Sequence, residues 1–201
     1  MKAVVLGTGT IGSAVAATFR EAGHEVITVG RTSGDEQADI TAKASLDALF
    51  ARIGSFDAVA NAAGDVFPAP LTETTDEQWA TSIAAKGIGQ INVARAALPF
   101  LADGGSITLV SGILGDHIVP AMTVGTAVNG LIEGFVRGAA TELPRGVRIN
   151  CISPSVLAES TAYHPYFPGF PPVPASDVAL AYLRAASNPV NGAILRVHGL
   201  G

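Results

Sequence analysis

Charge is scarce in this chain. Charged residues are 14% of its 201 residues, well under the roughly 25% of an ordinary soluble domain. Positive charge is scarcer still, with 12 Lys plus Arg against 17 acids and a formal net charge of −5. That balance leaves no basic footprint for nucleic acid or for an anionic membrane, so neither is expected as a partner. Cysteine occurs once, as Cys151; no internal disulfide can form, and a reducing cytoplasm is the expected compartment. No apolar run approaches the ~18–20 residues of a membrane span. The first run, 3–6, is cut by Gly7 before it reaches the length of a signal-peptide core. The histidines His24, His117, His164 and His198 are scattered, so no metal site is expected.

Apolar residues are 48% of the chain, enough for a sizeable core. Strand-like and helix-like segments alternate from end to end. Short apolar runs at 2–6, 26–29, 56–60, 106–110, 147–152 and 193–197 read as strands buried on both faces. Between them lie helical segments at 13–22, 46–53, 75–97, 121–143 and 177–186. The stretch 163–174 holds five prolines and reads as a loop. With no repeat and no long linker, residues 1–201 form one α/β domain. It is a doubly wound Rossmann sheet, mostly parallel, with helices on both faces.

The chemistry starts at Gly7-Thr8-Gly9-Thr10-Ile11-Gly12, which fits G-x-G-x-x-G between the first strand and the first helix. The first glycine allows the turn, the second lets backbone approach a pyrophosphate, and the third lets helix and strand pack closely. The free N–H groups and the positive dipole end of the helix then face the phosphates. An NAD site usually places an acid at the tip of the second strand. Here Arg31 and Thr32 stand there instead. Arg31 can pair bidentately with a 2′-phosphate, so NADP(H) is expected in preference to NAD(H).

With those residues placed, nearly the whole chain resembles the short-chain dehydrogenase/reductase family. Asn61-Ala62-Ala63-Gly64 resembles the family's Asn-Asn-Ala-Gly, and Asp39-Ile40 resembles the Asp-Val pair that flanks adenine. Residues 148–154 resemble Arg-Val-Asn-x-Ile-x-Pro, which implies that Pro154, Val156 and Leu157 lie at the nicotinamide. Residues 191–199 resemble the family's closing strand. The resemblance implies an oxidoreductase moving hydride between the nicotinamide and a small carbonyl or alcohol, with Ser111 orienting the carbonyl.

The family's Tyr-x-x-x-Lys pair is where the chain departs. About 13 residues on from Ser111, where tyrosine is expected, stands Val124, and where lysine is expected stands Val128. The position of the family's helper asparagine holds Lys86. A desolvated lysine near a nicotinamide can donate a proton near neutral pH, so Ser111 and Lys86 are the candidate catalytic pair. His117, Tyr163 and Tyr166 lie near the expected substrate mouth, but read more simply as loop residues. The alternative is a non-catalytic NADP(H)-binding sensor or oligomer partner. The helix over 123–143 is apolar around more than one face, which implies a homodimer or homotetramer paired through it.

Overall fold

The computed structural model describes residues 1–199. Seven parallel strands form one sheet in the order β3-β2-β1-β4-β5-β6-β7. They are β1 (Lys2–Leu6), β2 (Glu25–Gly30), β3 (Glu36–Gln37), β4 (Phe56–Asn61), β5 (Leu101–Val110), β6 (Arg148–Pro154) and β7 (Ile194–Val197). β1 lies inside the sheet, third from the β3 edge, and the strand order reverses between it and β4. In an open α/β sheet that reversal opens a crevice at the carboxyl ends of the strands.

Strand alternation sorts side chains onto two cores. Ala3 and Val5 of β1 join a cluster with Val15 and Phe19 of α1 (Thr10–Glu21) and Val178 and Tyr182 of α6 (Ala175–Ser187). Val4 and Leu6 face the opposite way, onto α2 (Lys43–Ile53), α4 (Gly89–Ala97) and α5 (Thr123–Ala139). On that side Phe50 packs against Phe56 with ring centroids 5.3 Å apart. Tyr182 is fully buried, and its hydroxyl donates to the Asn61 carbonyl at 2.8 Å, which fixes the end of β4.

The segment expected as one helix over 75–97 is broken. Thr75 caps α3 (Asp76–Ser82) through a capping box with Gln78. A π-helical turn over Ile83–Ile88 then joins α3 to α4. Such turns place an extra residue in the helix and redirect the side chains they carry. Two further differences are small. β3 is two residues long, too short to show periodicity, and β5 begins at Leu101 because Phe56 pairs with it across an irregular register. The proline-rich loop contains a 3₁₀ turn over Thr161–Tyr166, and its base is closed by a bridge between Leu157 and Val173. No helix among the described residues is long and apolar enough to cross a membrane.

Candidate active site

The glycine turn leaves β1 at Gly7, whose N–H donates to the Val29 carbonyl at 2.8 Å. A Cβ on Gly12 would overlap the Gly7 carbonyl, so only glycine lets α1 come this close to the turn. A Cβ on Gly9 would meet nothing within 4 Å, which leaves open space over the turn. Gly9 is the N-cap of α1, and no side chain caps this end of the helix. Its first N–H groups therefore face that open space, as a phosphate requires. These residues fit a dinucleotide.

A cavity of about 370 Å³ lies beside this turn. Of the residues expected at the cofactor, Gly7, Thr8, Arg31, Asp39, Ile40, Ala63 and Gly64 line it. Two hydrogen bonds from Thr41, one from its hydroxyl and one from its N–H, hold the Asp39 carboxyl below the usual range. Arg31 is exposed at the rim, and Thr8 Oγ1 lies 2.7 Å from Ser33 Oγ beneath it.

A second cavity, of about 230 Å³, continues along the carboxyl edge of the sheet and shares Gly64 with the first. Ile11, Ala62, Lys86, Ser111, Pro154, Val156 and Leu157 line it, with Tyr163 and Phe167 from the proline-rich loop. Gly9, Thr10, Gly12, Thr32 and Asn61 border neither cavity. Gly12 and Asn61 shape the site from below. The Asn61 amide donates to the Ala63 carbonyl at 2.9 Å and thereby holds the turn after β4.

Lys86 comes from the π-helical turn and is half-buried. Gly64, at φ +125°, makes room for it, since a Cβ there would meet the Lys86 backbone at 2.9 Å. Lys86 Nζ donates to the Ser111 carbonyl at 3.0 Å. Burial pushes the lysine pKa down, opposed by the nearby Asp65 carboxylate. Burial also pushes the Cys151 thiol up, to about 12, so that it stays protonated.

One expectation is corrected here, and two other residues are placed. Val124 and Val128 do not face the cavity. They continue as Ile132 and Val136 in a fully buried stripe that packs into the core. The adjacent stripe on α5, one residue on, carries Gly125, Asn129 and Glu133, and Asn129 lines the second cavity. Adjacent residues on a helix point about 100° apart, so a shift of one position exchanges core for cavity. Ser111 lines the second cavity, where its hydroxyl donates to Glu133 Oε1 at 3.0 Å. His117, read above as a loop residue, lies outside the second cavity, with its ring edge-on to Phe170 and His198. Asp116 binds Arg196 through two contacts of 2.7 Å.

Sequence reasoning missed Asn129, Gln90 and Glu133. The Asn129 amide nitrogen donates to the Gly112 carbonyl at 3.1 Å, while its buried Oδ1 has no partner. Gln90 accepts from the Val110 N–H at 2.8 Å and donates to the Val110 carbonyl at 2.7 Å, continuing the ladder where β4 has ended. Glu133 was visible as one of the few charges on the 123–143 helix, and its spacing from Asn129 was the available signal.

A doubly wound parallel sheet with a glycine turn at the tip of its first strand defines the dinucleotide-binding class of α/β proteins. The chain belongs to the short-chain dehydrogenase/reductase family of oxidoreductases, and the family model described as enoyl-(acyl carrier protein) reductase matches residues 6–193. An uncharacterized oxidoreductase of Staphylococcus aureus is 27% identical, over 93% of this chain and 91% of its own length. A protein of known structure from Listeria innocua is 40% identical with a TM-score of 0.95, covering 98% of this chain and 100% of that one. A small-chain dehydrogenase solved in complex with NADPH is 30% identical with a TM-score of 0.89, over 99% of this chain and 97% of its own.

Proposed function

We propose that this protein is an NADP(H)-dependent reductase of a small carbonyl compound, or the corresponding alcohol dehydrogenase, with Lys86 as its proton donor. The observation that carries the proposal is a single one: a half-buried lysine lines the cavity that adjoins the dinucleotide-shaped turn. Gly7, Thr8, Gly9, Thr10 and Ile11 would hold the pyrophosphate, Asp39, Ile40 and Ala63 the adenosine, and Arg31 with Thr32 the 2′-phosphate. Pro154, Val156 and Leu157 would seat the nicotinamide. NADP(H), when bound, supplies or accepts the hydride. Lys86 then gives its proton to the carbonyl oxygen in reduction and takes it back in oxidation. Desolvation serves that role, since a lysine donates more readily as its pKa falls towards neutrality. The apolar walls of the second cavity exclude water around the exchange.

Arg31 decides between the two cofactors. In a fluorescence titration, NADPH is expected to bind at least tenfold tighter than NADH, about 1.4 kcal/mol or more. Arg31→Ala is expected to erase that gap by weakening NADPH alone. Equal affinities in the wild type would remove the preference. A second reading, a non-catalytic NADP(H)-binding sensor, is favoured by Gly125 and Asn129, which bring no proton donor to the α5 side of the cavity. NADPH binding without turnover on a panel of small aldehydes and ketones would select it.

The assembly proposed is a homodimer or homotetramer paired through α5. Its outer face exposes Thr126, Ala127, Gly130, Leu131 and Gly134, and Leu131 adjoins Gly87 of the π-helical turn, between the exposed Ile83 and Ile88. These small and apolar residues let two helices approach closely. Leu131→Arg is expected to reduce the mass measured by light scattering to that of one chain. An unchanged mass would remove the α5 pairing.

A further inference from the structure

Glu133 is 4% exposed, on the α5 stripe that also carries Gly125 and Asn129. A carboxylate in such a place costs several kcal/mol unless its oxygens are matched. Both are. Oε1 accepts the Ser111 hydroxyl at 3.0 Å, and Oε2 accepts from Arg137 at 3.2 Å. The loop after β5 is shaped around it: a Cβ on Gly115 would come within 2.5 Å of Oε1, so glycine leaves the carboxylate its room. One turn back on α5, Asn129 holds the next carbonyl, that of Gly112. Residue 111 is thus gripped by its side chain, and its own carbonyl is the acceptor for Lys86 Nζ at 3.0 Å. That carbonyl is the one hydrogen-bond partner the lysine has among the described residues.

We propose that Glu133 is a positioning residue: by holding the Ser111 hydroxyl it keeps the Ser111 carbonyl on the Lys86 ammonium, and so sets which way the remaining ammonium protons face. The catalytic meaning of this rests on Lys86 as the proton donor; the hydrogen-bonded chain from Glu133 through Ser111 to Lys86 does not. The charged and titratable groups around Lys86 are Cys151 of β6 and Asp65 after β4, with Glu133 acting only through Ser111.

The test follows the side-chain nitrogen of Lys86 by NMR against pH in ¹⁵N-lysine-labelled full-length protein. The chain's lysines are Lys2, Lys43 and Lys86, and Lys86→Arg assigns the signal by removing it. Glu133→Leu frees Ser111. Gly115→Ala, in an exposed loop, pushes the carboxylate aside while leaving it in the protein. Both are expected to move the Lys86 midpoint down by about one pH unit, the worth of a lost hydrogen bond to a charged group. Glu133→Gln keeps an acceptor for Ser111 and is expected to retain the wild-type midpoint. An unchanged midpoint in both Leu and Ala variants overturns the proposal. So does a Gln variant that shifts as far as Leu, since charge rather than the grip on Ser111 would then govern the lysine. If Glu133→Leu does not fold, Gly115→Ala decides alone by the same two outcomes. NADPH titration of the wild type runs alongside. Failure to bind defeats the reductase reading and leaves the answer on Glu133 standing.

Discussion

Gly12→Ala is expected to weaken NADPH binding by at least 100-fold, about 2.8 kcal/mol, and to lower the thermal midpoint as well. The new methyl group has nowhere to go. It would overlap the Gly7 carbonyl, and Gly7 cannot retreat, because its N–H is bound to Val29 and its far side lies against the Ala62–Ala63 backbone. The helix must move off the strand instead, and overpacking of that kind costs about 1–3 kcal/mol in stability. Gly9→Ala is the control. Its methyl group enters open space, so stability is expected to stay, while the phosphates lose their closest approach to backbone. Binding and thermal midpoint should therefore fall together in the first variant and separate in the second. A Gly12→Ala protein with wild-type affinity would show that the phosphates bind elsewhere.

Lys86→Met is expected to lower carbonyl reduction by about 10²- to 10⁴-fold, the usual contribution of a positioned acid. NADPH affinity should remain within its wild-type range, so the loss falls on turnover. The same variant carries a stability signature. Burial pushes the Lys86 pKa below that of the unfolded chain, so between the two values the unfolded state binds the extra proton. Wild-type stability therefore rises as pH climbs through that window and levels off above the ordinary lysine value, about 10.4. Methionine keeps most of the volume and removes the charge. The variant should be the more stable protein below that window and should lack the rise. Chemical denaturation at several pH values reads this, while turnover on an aldehyde and ketone panel reads the first effect. Unchanged turnover would return the proton to water or to another residue.

The parts of this molecule that repeat a pattern were readable from its residues. β1 announces itself by Val and Leu running into Gly7, and the three glycines carry their geometry with them. The cavity beyond was harder to read. Val124 and Val128 sit one position from Gly125 and Asn129, and on a helix that difference is a change of face, which spacing counted from Ser111 does not resolve. Ser111 was found, but the direction of its hydroxyl depends on Glu133, 22 residues away in sequence. The bend that delivers Lys86 is a π-helical turn, and no residue pattern distinguishes it from the α-helix on either side. Gly87 and Gly89 mark the place, yet each answers a neighbour from elsewhere, Leu131 and Ile40.

The interior position of β1 bears on how the chain reaches this state. Its partner β4 begins at Phe56, its sheet is parallel throughout, and the edge strand β7 is completed only at Val197. Every crossover must close a long loop before any ladder forms, which makes such sheets slow to fold and leaves unpaired edges open in the meantime. During synthesis, β5 waits with one side bare until residues 148–154 emerge, and β6 waits in turn for 194–197. The β5–β6–β7 side is therefore the last part of the sheet to be assembled. A chain halted between the two would hold a finished glycine turn beside a sticky, unfinished border.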